Sequence, residues 1–408
     1  MSRLDELIAE LCPDGVKYER LQDHCLLLDN ERRPVTKKDR IPGMYPYYGA
    51  NGIQDYVDKY IFSGTFLLIG EDGSVIDSDG RPVLNWATGK IWVNNHAHIL
   101  SEKKGTSLRY LYYVLQTVNI SSLVRGAPPK LNQKSLNNII IPAPPLPVQE
   151  EIVRILDKFT ELTAKLTGEL AKRKQQYQYY RDSIVDFLDN RAEKPKKIEK
   201  LIADLCPNGV EYKELGEVTC LIKNGFTYEV DKTTTKKYKV SRIETISGGV
   251  INMGKVATVN VADEKYRLTD GDILFSHINS LPYLGNIAFY EEKYGELYHG
   301  MNLLCFRFVK DVVLPKFAFY IFRTSFFRKY IDKYAKHSCN QYSLSISTIK
   351  KWKIPTPPLP VQKEIVTILD RFDALCNDLT SGLPAEIEAR KKQYEYYRDK
   401  LLTFKEAV

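Results

Sequence analysis

Apolar residues recur at the spacing of an amphipathic helix in two long stretches of the chain. Steps of three, four or seven connect the apolar positions of the first stretch, which are Ile152, Ile155, Phe159, Leu162, Leu166, Leu170, Tyr177, Tyr180, Ile184 and Phe187. The second stretch has the same spacing over Ile365, Ile368, Phe372, Leu375, Leu379, Leu383, Ile387, Tyr394, Tyr397, Leu401 and Phe404. Each stripe predicts a long helix of coiled-coil type, which needs an apolar partner. We therefore expect the two helices to pair antiparallel, although each could instead cover only its own domain.

Prolines indicate where these helices begin and where one of them is interrupted. Pro147 and Pro360 fit the first turn of each helix, where a missing backbone N–H costs no hydrogen bond. The second stripe contains one extra step of four residues, and this insertion includes Gly382 and Pro384. We expect the second helix to kink or break there, because proline disrupts a helix interior.

The two helices belong to a repeat that extends over most of the chain. Three pairs of segments recur: PPLPVQEEIVRILDKF (144–159) and PPLPVQKEIVTILDRF (357–372), LIAELCPDGVKYERL (7–21) and LIADLCPNGVEYKEL (201–215), and QYQYYRDSIVDF (176–187) and QYEYYRDKLLTF (393–404). In the first pair, 13 of the 16 positions are identical. The bodies between these segments differ in sequence and length, as expected if two modules of one kind act on different targets.

Shorter apolar runs predict mixed secondary structure in the two bodies. Strands are expected at 64–70, 89–100, 271–279, 285–290 and 302–309, and helices at 109–118 and 316–337. The segment YPYYGANGI (45–53) is expected to be a loop. The predicted class is α+β: two mixed α/β domains separated by two long antiparallel coiled-coil-like helices, with an internal pseudo-twofold repeat.

The same reasoning predicts the domain boundaries. The N-terminal segment, 1–25, should pack near the C-terminal helix. The remaining segments are a first body at 26–142, a central helical region at 143–190, a linker with the start of the second leading segment at 191–205, a second body at 206–355, and a distal helical region at 356–408.

Composition favours a soluble protein with a polyanionic partner. The net charge is +8 and the isoelectric point is about 8.8. The 27 tyrosines suit surfaces that are half buried and half wet. The seven cysteines lack zinc-binding spacing, and no signal segment or apolar run of transmembrane length is present. We expect a cytoplasmic protein with no membrane contact.

Several polar and aromatic residues of the bodies are candidates for DNA binding. Alternation along 89–100 puts Trp92, Asn94, His96 and His98 on one strand face, which could read base edges or form a partly buried polar cluster. A metal is not favoured there, because no third ligand accompanies the two histidines. The other candidates are Tyr45, Tyr47, Tyr48 and Asn51 of the first body, Arg242, His277, Asn279, Gln341 and Tyr342 of the second body, and Lys130 and Lys336 for phosphate contacts.

Motifs of the common catalytic sites are missing from the sequence. It contains no G-x-x-x-x-G-K-[ST] loop, no G-x-S-x-G elbow and no H-E-x-x-H helix. It also has no Asn-Pro-Pro-aromatic or Asp-Pro-Pro-aromatic motif of an amino-methyltransferase. We therefore expect no catalytic residues, no metal and no cofactor in this chain.

The repeated Pro-Pro-Leu-Pro-x-Gln segment, the Gln-Tyr-x-Tyr-Tyr-Arg-Asp helix ends and the two unlike bodies together resemble the specificity subunits of type I restriction-modification systems. The resemblance extends over nearly the whole chain. It implies that each body is a target recognition domain for one half of a bipartite, asymmetric DNA site, and that the helices are a spacer and a docking surface.

The resemblance also implies the partners of this chain. These are double-stranded DNA, two methyltransferase subunits that use S-adenosylmethionine to methylate adenine at N6, and two endonuclease or translocase subunits that use ATP and Mg to cleave DNA. Those cofactors belong to the partner subunits. The alternatives are a standalone two-headed DNA-binding protein, an enzyme with an unrecognised site, or a coiled-coil scaffold whose bodies bind proteins.

Overall fold

The computed structural model describes residues 2–189, 191, 193, 195–227, 238–338, 341–378 and 381–407. The chain divides into two units, Met1–Thr167 with Glu386–Val408, and Gly168–Ala385. Each unit combines parts of both helical stretches with one variable body. Among the described residues, none of the helices has the length and apolar character needed to span a lipid bilayer.

The first unit combines a six-stranded sheet with several helices. Its helices are α1 (Arg3–Leu11), α2 (Leu108–Leu115), α3 (Gln133–Asn137) and the first part of α4 (Leu146–Asp182). Its strands are β1 (Tyr18–Arg20), β2 (Cys25–Leu27), β3 (Pro42–Gly49), β4 (Gly52–Val57), β5 (Phe62–Gly70), β6 (Leu84–Val93), β7 (Ala97–Glu102) and β8 (Ile140–Pro142). The sheet order is β2-β7-β5-β6-β3-β4, and β3 pairs with β6 in parallel.

Both faces of this sheet carry buried apolar clusters. Alternation along β5 directs Leu67 and Ile69 to one face and Phe66 and Leu68 to the other. The first face packs against α2, which contributes the fully buried Leu111. Since both faces are filled, the strand ends and connecting loops are the places where polar side chains can meet a ligand.

Two sequence predictions for this body are wrong. The predicted strand at 89–100 is two strands, because β6 ends at Val93 and a turn at Asn94 precedes β7. The predicted loop at 45–53 is a hairpin, in which β3 and β4 pair from Pro42 to Val57. Gly52 closes that hairpin with a φ of +94°, a conformation that glycine adopts without strain.

The second unit contains smaller sheets. Its helices are the rest of α4, α5 (Ile184–Leu188), α6 (Lys196–Leu205), α7 (Leu215–Val218), α8 (Pro315–Phe322), α9 (Ser325–Tyr334), α10 (Ile346–Lys350) and α11 (Leu359–Asn377). Its strands are β9 (Tyr212–Glu214), β10 (Thr219–Asn224), β11 (Tyr238–Ser241), β12 (Ile246–Ser247), β13 (Val250–Ile251), β14 (Ala257–Val259), β15 (Ile273–Ser276), β16 (Ile278–Asn279), β17 (Ile287–Phe289), β18 (Tyr298–His299), β19 (Leu303–Phe308), β20 (Lys336–Ser338), β21 (Gln341–Ser343) and β22 (Lys353–Pro355). The last helix, α12 (Leu383–Leu401), belongs to the first unit from Glu386 onward.

Aromatic rings dominate the core of the second unit. Phe322 stacks on Phe327 with ring centroids 4.1 Å apart, and Phe327 meets the buried Trp352 edge-on at 5.3 Å. The helix predicted at 316–337 is wrong as a single element. Thr324 caps α9 by accepting the backbone N–H of Phe327, so α8 ends before it, and Lys336 begins a strand.

The repeated proline-rich segments have a common structural task. The Gln149 side chain accepts the backbone N–H of Ser107, the residue that caps α2, at 2.9 Å and donates to the Pro144 carbonyl at 2.7 Å. Its repeat equivalent, Gln362, accepts the backbone N–H of Leu314 at the start of α8. Both glutamines are buried, so each fastens a body helix to the beginning of a long helix.

A two-stranded ladder pairs the two ends of each body. In the first unit, β1 pairs antiparallel with β8 and places Tyr18 opposite Pro142. In the second unit, β9 pairs antiparallel with β22 and places Tyr212 opposite Pro355. The chain therefore enters and leaves each body through the same short ladder.

Stacked aromatic rings connect the helical stretches within each unit. Phe159 stacks on Tyr397 at 5.4 Å in the first unit, and the repeat-equivalent Phe372 and Tyr180 stack at 5.5 Å in the second. In the second unit, Tyr180 contacts Phe372, Tyr177 contacts both Phe372 and Asp373, and Lys174 lies near Cys376, so earlier residues of one helix meet later residues of the other. This order is that of antiparallel helices and agrees with the predicted pairing.

The predicted stripes are correct at most positions and wrong at two. Leu162 and Leu375 are 49% and 37% exposed. Of the remaining spacer candidates, Ile152, Tyr177 and Ile365 are buried, Leu166 and Tyr394 are half-buried, and Leu379 lies outside the described residues. The predicted interruption near Gly382 and Pro384 is confirmed, because α11 ends at Asn377 and α12 begins at Leu383.

The leading segment of each half packs beside the end of a helical stretch. In the first unit, Val16 exchanges backbone hydrogen bonds with Lys405 and Ala407, at 2.8 and 3.0 Å. In the second unit, the Tyr212 hydroxyl donates to Asp189 at 2.8 Å. A Cβ on Gly15 would lie 2.6 Å from the Lys405 carbonyl, so this backbone approach requires glycine.

Candidate nucleic-acid interface

A cleft of about 380 Å³ opens at one edge of the six-stranded sheet in the first unit. Three segments form it: the loop before β3, the hairpin of β3 and β4, and the turn between β6 and β7. Its lining residues are Pro34, Val35, Thr36, Arg40, Tyr47, Gln54, Asn94, Asn95 and His96. Of the sequence candidates, the structure brings Tyr47, Asn94 and His96 together here.

Asn94 shapes the turn of this cleft and is itself 2% exposed. Its side-chain oxygen accepts the backbone N–H of His96 at 2.8 Å, and its amide nitrogen donates to Gln54 at 3.2 Å. These bonds use the groups that would otherwise read a base. Gln54 and Asn95 are exposed at the same cleft and are better placed to face a ligand.

The tyrosines of the 45–53 segment differ in their surroundings. The buried Tyr47 hydroxyl donates to the carbonyl of Val35 and accepts its backbone N–H, and Arg40 lies 4.1 Å above the Tyr47 ring. Tyr48 is buried in the apolar core, and its neighbour Tyr45 packs on Tyr60. Tyr47 therefore supports the cleft indirectly, because its hydroxyl group holds the loop that borders the cleft.

The other candidates of the first unit are distributed around this cleft. Asn51 is exposed in the turn between β3 and β4. Trp92 donates its ring N–H to the Arg33 carbonyl at 2.6 Å, and His96 hydrogen-bonds to Asp72. His98 is fully buried, which agrees with the polar-cluster alternative for this residue and not with base reading. The predicted single strand face is wrong, because the turn at Asn94 separates His98 from Trp92.

The loop before β3 carries basic residues that the sequence reasoning missed. Arg33, Lys37 and Lys38 are exposed beside the cleft. Exposed basic side chains next to a groove suit contacts to DNA phosphates. In the sequence, the run ERRPVTKKDR (31–40) could have indicated this basic loop.

Asp29, Glu71 and His98 form a buried cluster whose ligand atoms lie within 4.8 Å of one another. Their charges already have protein partners. Arg32 contacts Glu71 at 2.6 Å and Asp29 at 3.4 Å, and Lys130 contacts Glu71 at 3.2 Å. Because two cations balance the two carboxylates, a metal ion would have to displace Arg32, so the geometry does not favour a metal centre.

In the second unit, a small sheet brings four of the candidates together. The strand order β16-β21-β20 sets Asn279 opposite Tyr342, and Gln341 opposite Ser338 on the strand that begins at Lys336. Lys336 and Gln341 are exposed. A cleft of about 520 Å³ adjoins this sheet and is lined by Ile243, Glu244, Ile246, Ser247, Lys255, Asn279, Tyr283 and Asn286.

Two further candidates of the second unit lie apart from the exposed edge. Arg242 pairs with Glu244 at 3.1 Å and donates to the Lys255 carbonyl at 3.4 Å, so it borders the cleft. His277 is buried and hydrogen-bonds to the Asn302 carbonyl at 3.1 Å. Burial lowers the pKa of His277 to about 4, which keeps the ring neutral at physiological pH.

Comparison with known proteins identifies the family. The model of the type I restriction modification DNA specificity domain matches residues 13–173 and again 207–389. A type I restriction enzyme specificity subunit of Haemophilus influenzae is 32% identical over 95% of this chain and 96% of its own length. The chain belongs to the type I restriction-modification specificity subunits. This assignment confirms the resemblance and does not favour a standalone binding protein or a scaffold.

Other relatives of this specificity subunit agree with the assignment. The EcoR124I/EcoR124II specificity subunit of Escherichia coli is 29% identical, over 86% of this chain and 89% of its own. The fold is similar to the crystal structure of a type I S subunit from M. genitalium, with a TM-score of 0.58, 15% identity and coverage of 95% and 96% of the two chains. Specificity subunits are the non-catalytic members of type I systems.

The two matches to the specificity domain each contain one of the clefts. The match at 13–173 includes the cleft at Asn94, and the match at 207–389 includes the cleft at Asn279. Their linings share few residue types: the first has a buried asparagine, a histidine and an arginine, and the second has isoleucines, a lysine and a glutamate. One specificity subunit thus presents two different surfaces on a repeated frame.

Proposed function

We propose that this specificity subunit directs a type I complex to a bipartite, asymmetric DNA site, and that each body reads one half. The observation that carries this proposal is the pair of unlike clefts on repeated ladders and repeated glutamine contacts. Two identical bodies would read a symmetric site, whereas two different linings fit two different half-sites. The net charge of +8 suits a polyanionic partner.

In the first unit, phosphate contacts and base contacts come from different segments. The exposed Arg33, Lys37 and Lys38 bind the DNA backbone, which fixes register without reading sequence. Gln54, Asn95 and the candidate His96 offer amide and imidazole groups to base edges in the cleft. The Asn95 amide can bond to adenine with both its donor and its acceptor, so it discriminates between bases. The Gln54 oxygen already accepts from Asn94, so Gln54 contributes its amide N–H groups.

In the second unit, the corresponding surface is the small sheet beside the larger cleft. Lys336 binds a phosphate, and Gln341 and Tyr342 meet bases. The Asn279 side chain accepts the backbone N–H of Ser280 at 2.9 Å and donates to the Ser276 hydroxyl at 3.0 Å, so it shapes the loop as Asn94 does in the first unit. Exposed Tyr283 in the cleft wall offers a ring for apolar contact with a thymine methyl group.

The helices dock the partner subunits, of which we propose two methyltransferases and two endonuclease or translocase subunits. Leu162 and Leu375 are exposed at equivalent positions of the repeat, as are Tyr179 and Tyr396. Apolar side chains that are exposed twice, once in each repeat, suit two copies of one partner. S-adenosylmethionine, ATP and Mg serve in those partners, which carry out adenine methylation and DNA cleavage.

A genome-wide map of methylated adenines tests this proposal. The gene would be present, deleted or restored, alongside its native methyltransferase subunit. We expect a split motif with two dissimilar halves that disappears on deletion and returns on restoration. A symmetric motif, or a motif that persists without the gene, would contradict the proposal.

A further inference from the structure

A buried ionic network lies behind the cleft of the first unit. Asp29 hydrogen-bonds to His98 at 2.6 Å, and their side chains are 4% and 1% exposed. His98 also contacts the Leu131 carbonyl at 2.8 Å. Arg32, 13% exposed, donates to Glu71 at 2.6 Å. Every one of these side chains is anchored by at least one strong polar contact, so the network is stiff.

This network joins two of the three segments that border the cleft. The Arg32 guanidinium donates to the Ala97 carbonyl at 2.8 Å, at the end of the β6–β7 turn, and its Nε donates to the Asp29 carbonyl at 2.9 Å. The next residue, Arg33, begins the basic loop and is tied to Trp92. Arg32 therefore fixes the start of the loop and the end of the turn through one planar group.

Glu71 connects the turn and the loop through different atoms. Its backbone N–H donates to the His96 carbonyl at 2.8 Å, so its main chain holds the turn. Its side chain holds Arg32 on one oxygen and Lys130 on the other. A change of the carboxylate alone thus releases the loop but keeps the backbone bond to the turn.

We infer that Glu71 and Arg32 are positioning residues for DNA specificity: their ion pair sets the spacing of the basic loop and the Asn94 turn, and so decides which bases the first unit accepts. The inference rests on the proposed function and goes beyond it, because neither residue lines the cleft. Removal of the carboxylate leaves Arg32 buried without its strongest partner, and the loop must move to solvate it. Base preference then relaxes in one half-site.

The experiment places Glu71→Gln in the full chain, expressed with the native methyltransferase subunit, and maps methylated adenines. We expect the preference for the correct bases in one half-site to fall about tenfold, as for the loss of one base-reading contact. The other half-site and the spacing between the halves should stay unchanged. Asn94→Ala should weaken the same half-site, which identifies it as the one read by the first unit.

Glu151→Gln is the matched control, because Glu151 is a buried, ion-paired glutamate of the same unit on α4. It should leave the motif unchanged. A second variant, Arg32→Gln, should relax the same half-site at least as far as Glu71→Gln, because it removes the ion pair and also the guanidinium bonds to the Ala97 and Asp29 carbonyls. This comparison remains informative if one variant is less stable.

Three outcomes would overturn the inference. These are an unchanged motif with Glu71→Gln, a uniform fall in methylation with the motif intact, and relaxation of both half-sites together. A uniform fall would mean that Glu71 serves stability alone. If the wild-type chain itself yields no split motif, the proposed function fails instead, so the two failures are distinguishable.

Discussion

Gln149 in the first unit and Gln362 in the second both hold the backbone at the start of a body helix, yet the two bodies are built differently. The first body is one six-stranded sheet with an ionic network behind its cleft. The second body has several small sheets around an aromatic core, in which Phe322, Phe327 and Trp352 pack together. The contacts at the junctions, where each body meets the start of its long helix, are repeated in the two units. The contacts inside the bodies differ.

This contrast separates two kinds of constraint. The junction pairs recur with the same chemistry: Tyr113 bonds to Asp157 in the first unit, and Tyr320 bonds to the equivalent Asp370 in the second. Each tyrosine needs its aspartate, because both tyrosines are buried and a buried hydroxyl without a partner is costly. The clefts are under no such mutual constraint, so their residues are free to differ.

An exchange of bodies has the largest expected effect. The chimaera would swap the residues between Tyr18 and Pro142 with those between Tyr212 and Pro355, which keeps both ladders paired. We expect the two half-sites to change places in the methylation map, with their spacing retained. A control chimaera that swaps only α1 and α6 should keep the original order. If the body exchange also keeps that order, specificity does not lie in the bodies.

Loss of the junction glutamines should be the next largest effect. Gln362 makes three hydrogen bonds, including one to the Val312 carbonyl at 2.8 Å, whereas Gln149 makes two. We expect Gln362→Ala to reduce the free energy of unfolding by about 3 kcal/mol and Gln149→Ala by about 2 kcal/mol, because buried backbone groups lose partners. Urea unfolding can be followed by fluorescence.

The tryptophans make that measurement specific to a unit. With Trp86→Phe and Trp92→Phe in the background, Trp352 reports on the second unit; with Trp352→Phe, Trp86 and Trp92 report on the first. Gln178→Ala, at an exposed position of α4, is the control and should leave both transitions unchanged. Equal shifts of both signals by either glutamine variant would mean that the junctions do not act locally.

The buried histidines of the second unit should produce the smallest effect. Burial lowers the pKa of His277 to about 4, below its unfolded value of about 6.5. The unfolded chain therefore binds more protons between these values, and the stability of this unit should fall as pH drops from about 6.5 to 4. Between pH 6.5 and 5.5 the loss should be about 1 kcal/mol for this group. Burial lowers the pKa of His299 as well, with the same sign.

His277→Gln keeps a donor for the Asn302 carbonyl but does not titrate in this range. We expect Trp352 fluorescence in urea to show a flatter pH dependence in this variant than in the wild type. The first unit, followed through Trp86 and Trp92, serves as the internal comparison. An unchanged slope in the variant would mean that His277 is not the titrating group.

The helices could be predicted because their apolar spacing is long and regular. The strand at 89–100 could not, because Val93 and Ala97 are four residues apart and the alternation continues in phase across the turn. A similar continuity hid the Thr324 cap between α8 and α9. The periodicity of apolar residues indicates which side chains are buried. It does not reveal a turn when the same alternation continues on both sides of that turn.

The candidate site was predicted in part for a related reason. Asn94, His96 and Asn279 do border the clefts, since polar residues among buried strands are informative. For His98 the sequence left base reading and a buried polar cluster both open, because its partner Asp29 lies 69 positions away in the sequence. The basic loop was missed because charged runs most often mark solvated surface.

The paired ladders have a consequence at the level of the gene. The coding stretches for 144–159 and 357–372 specify nearly the same residues just after each ladder. Those for 7–21 and 201–215 specify similar residues up to and including the first strand of each ladder. Crossovers within these stretches would move a whole body with its ladder strands and leave every junction contact in register. New DNA specificities can then arise by shuffling inherited bodies, without point mutation of any cleft.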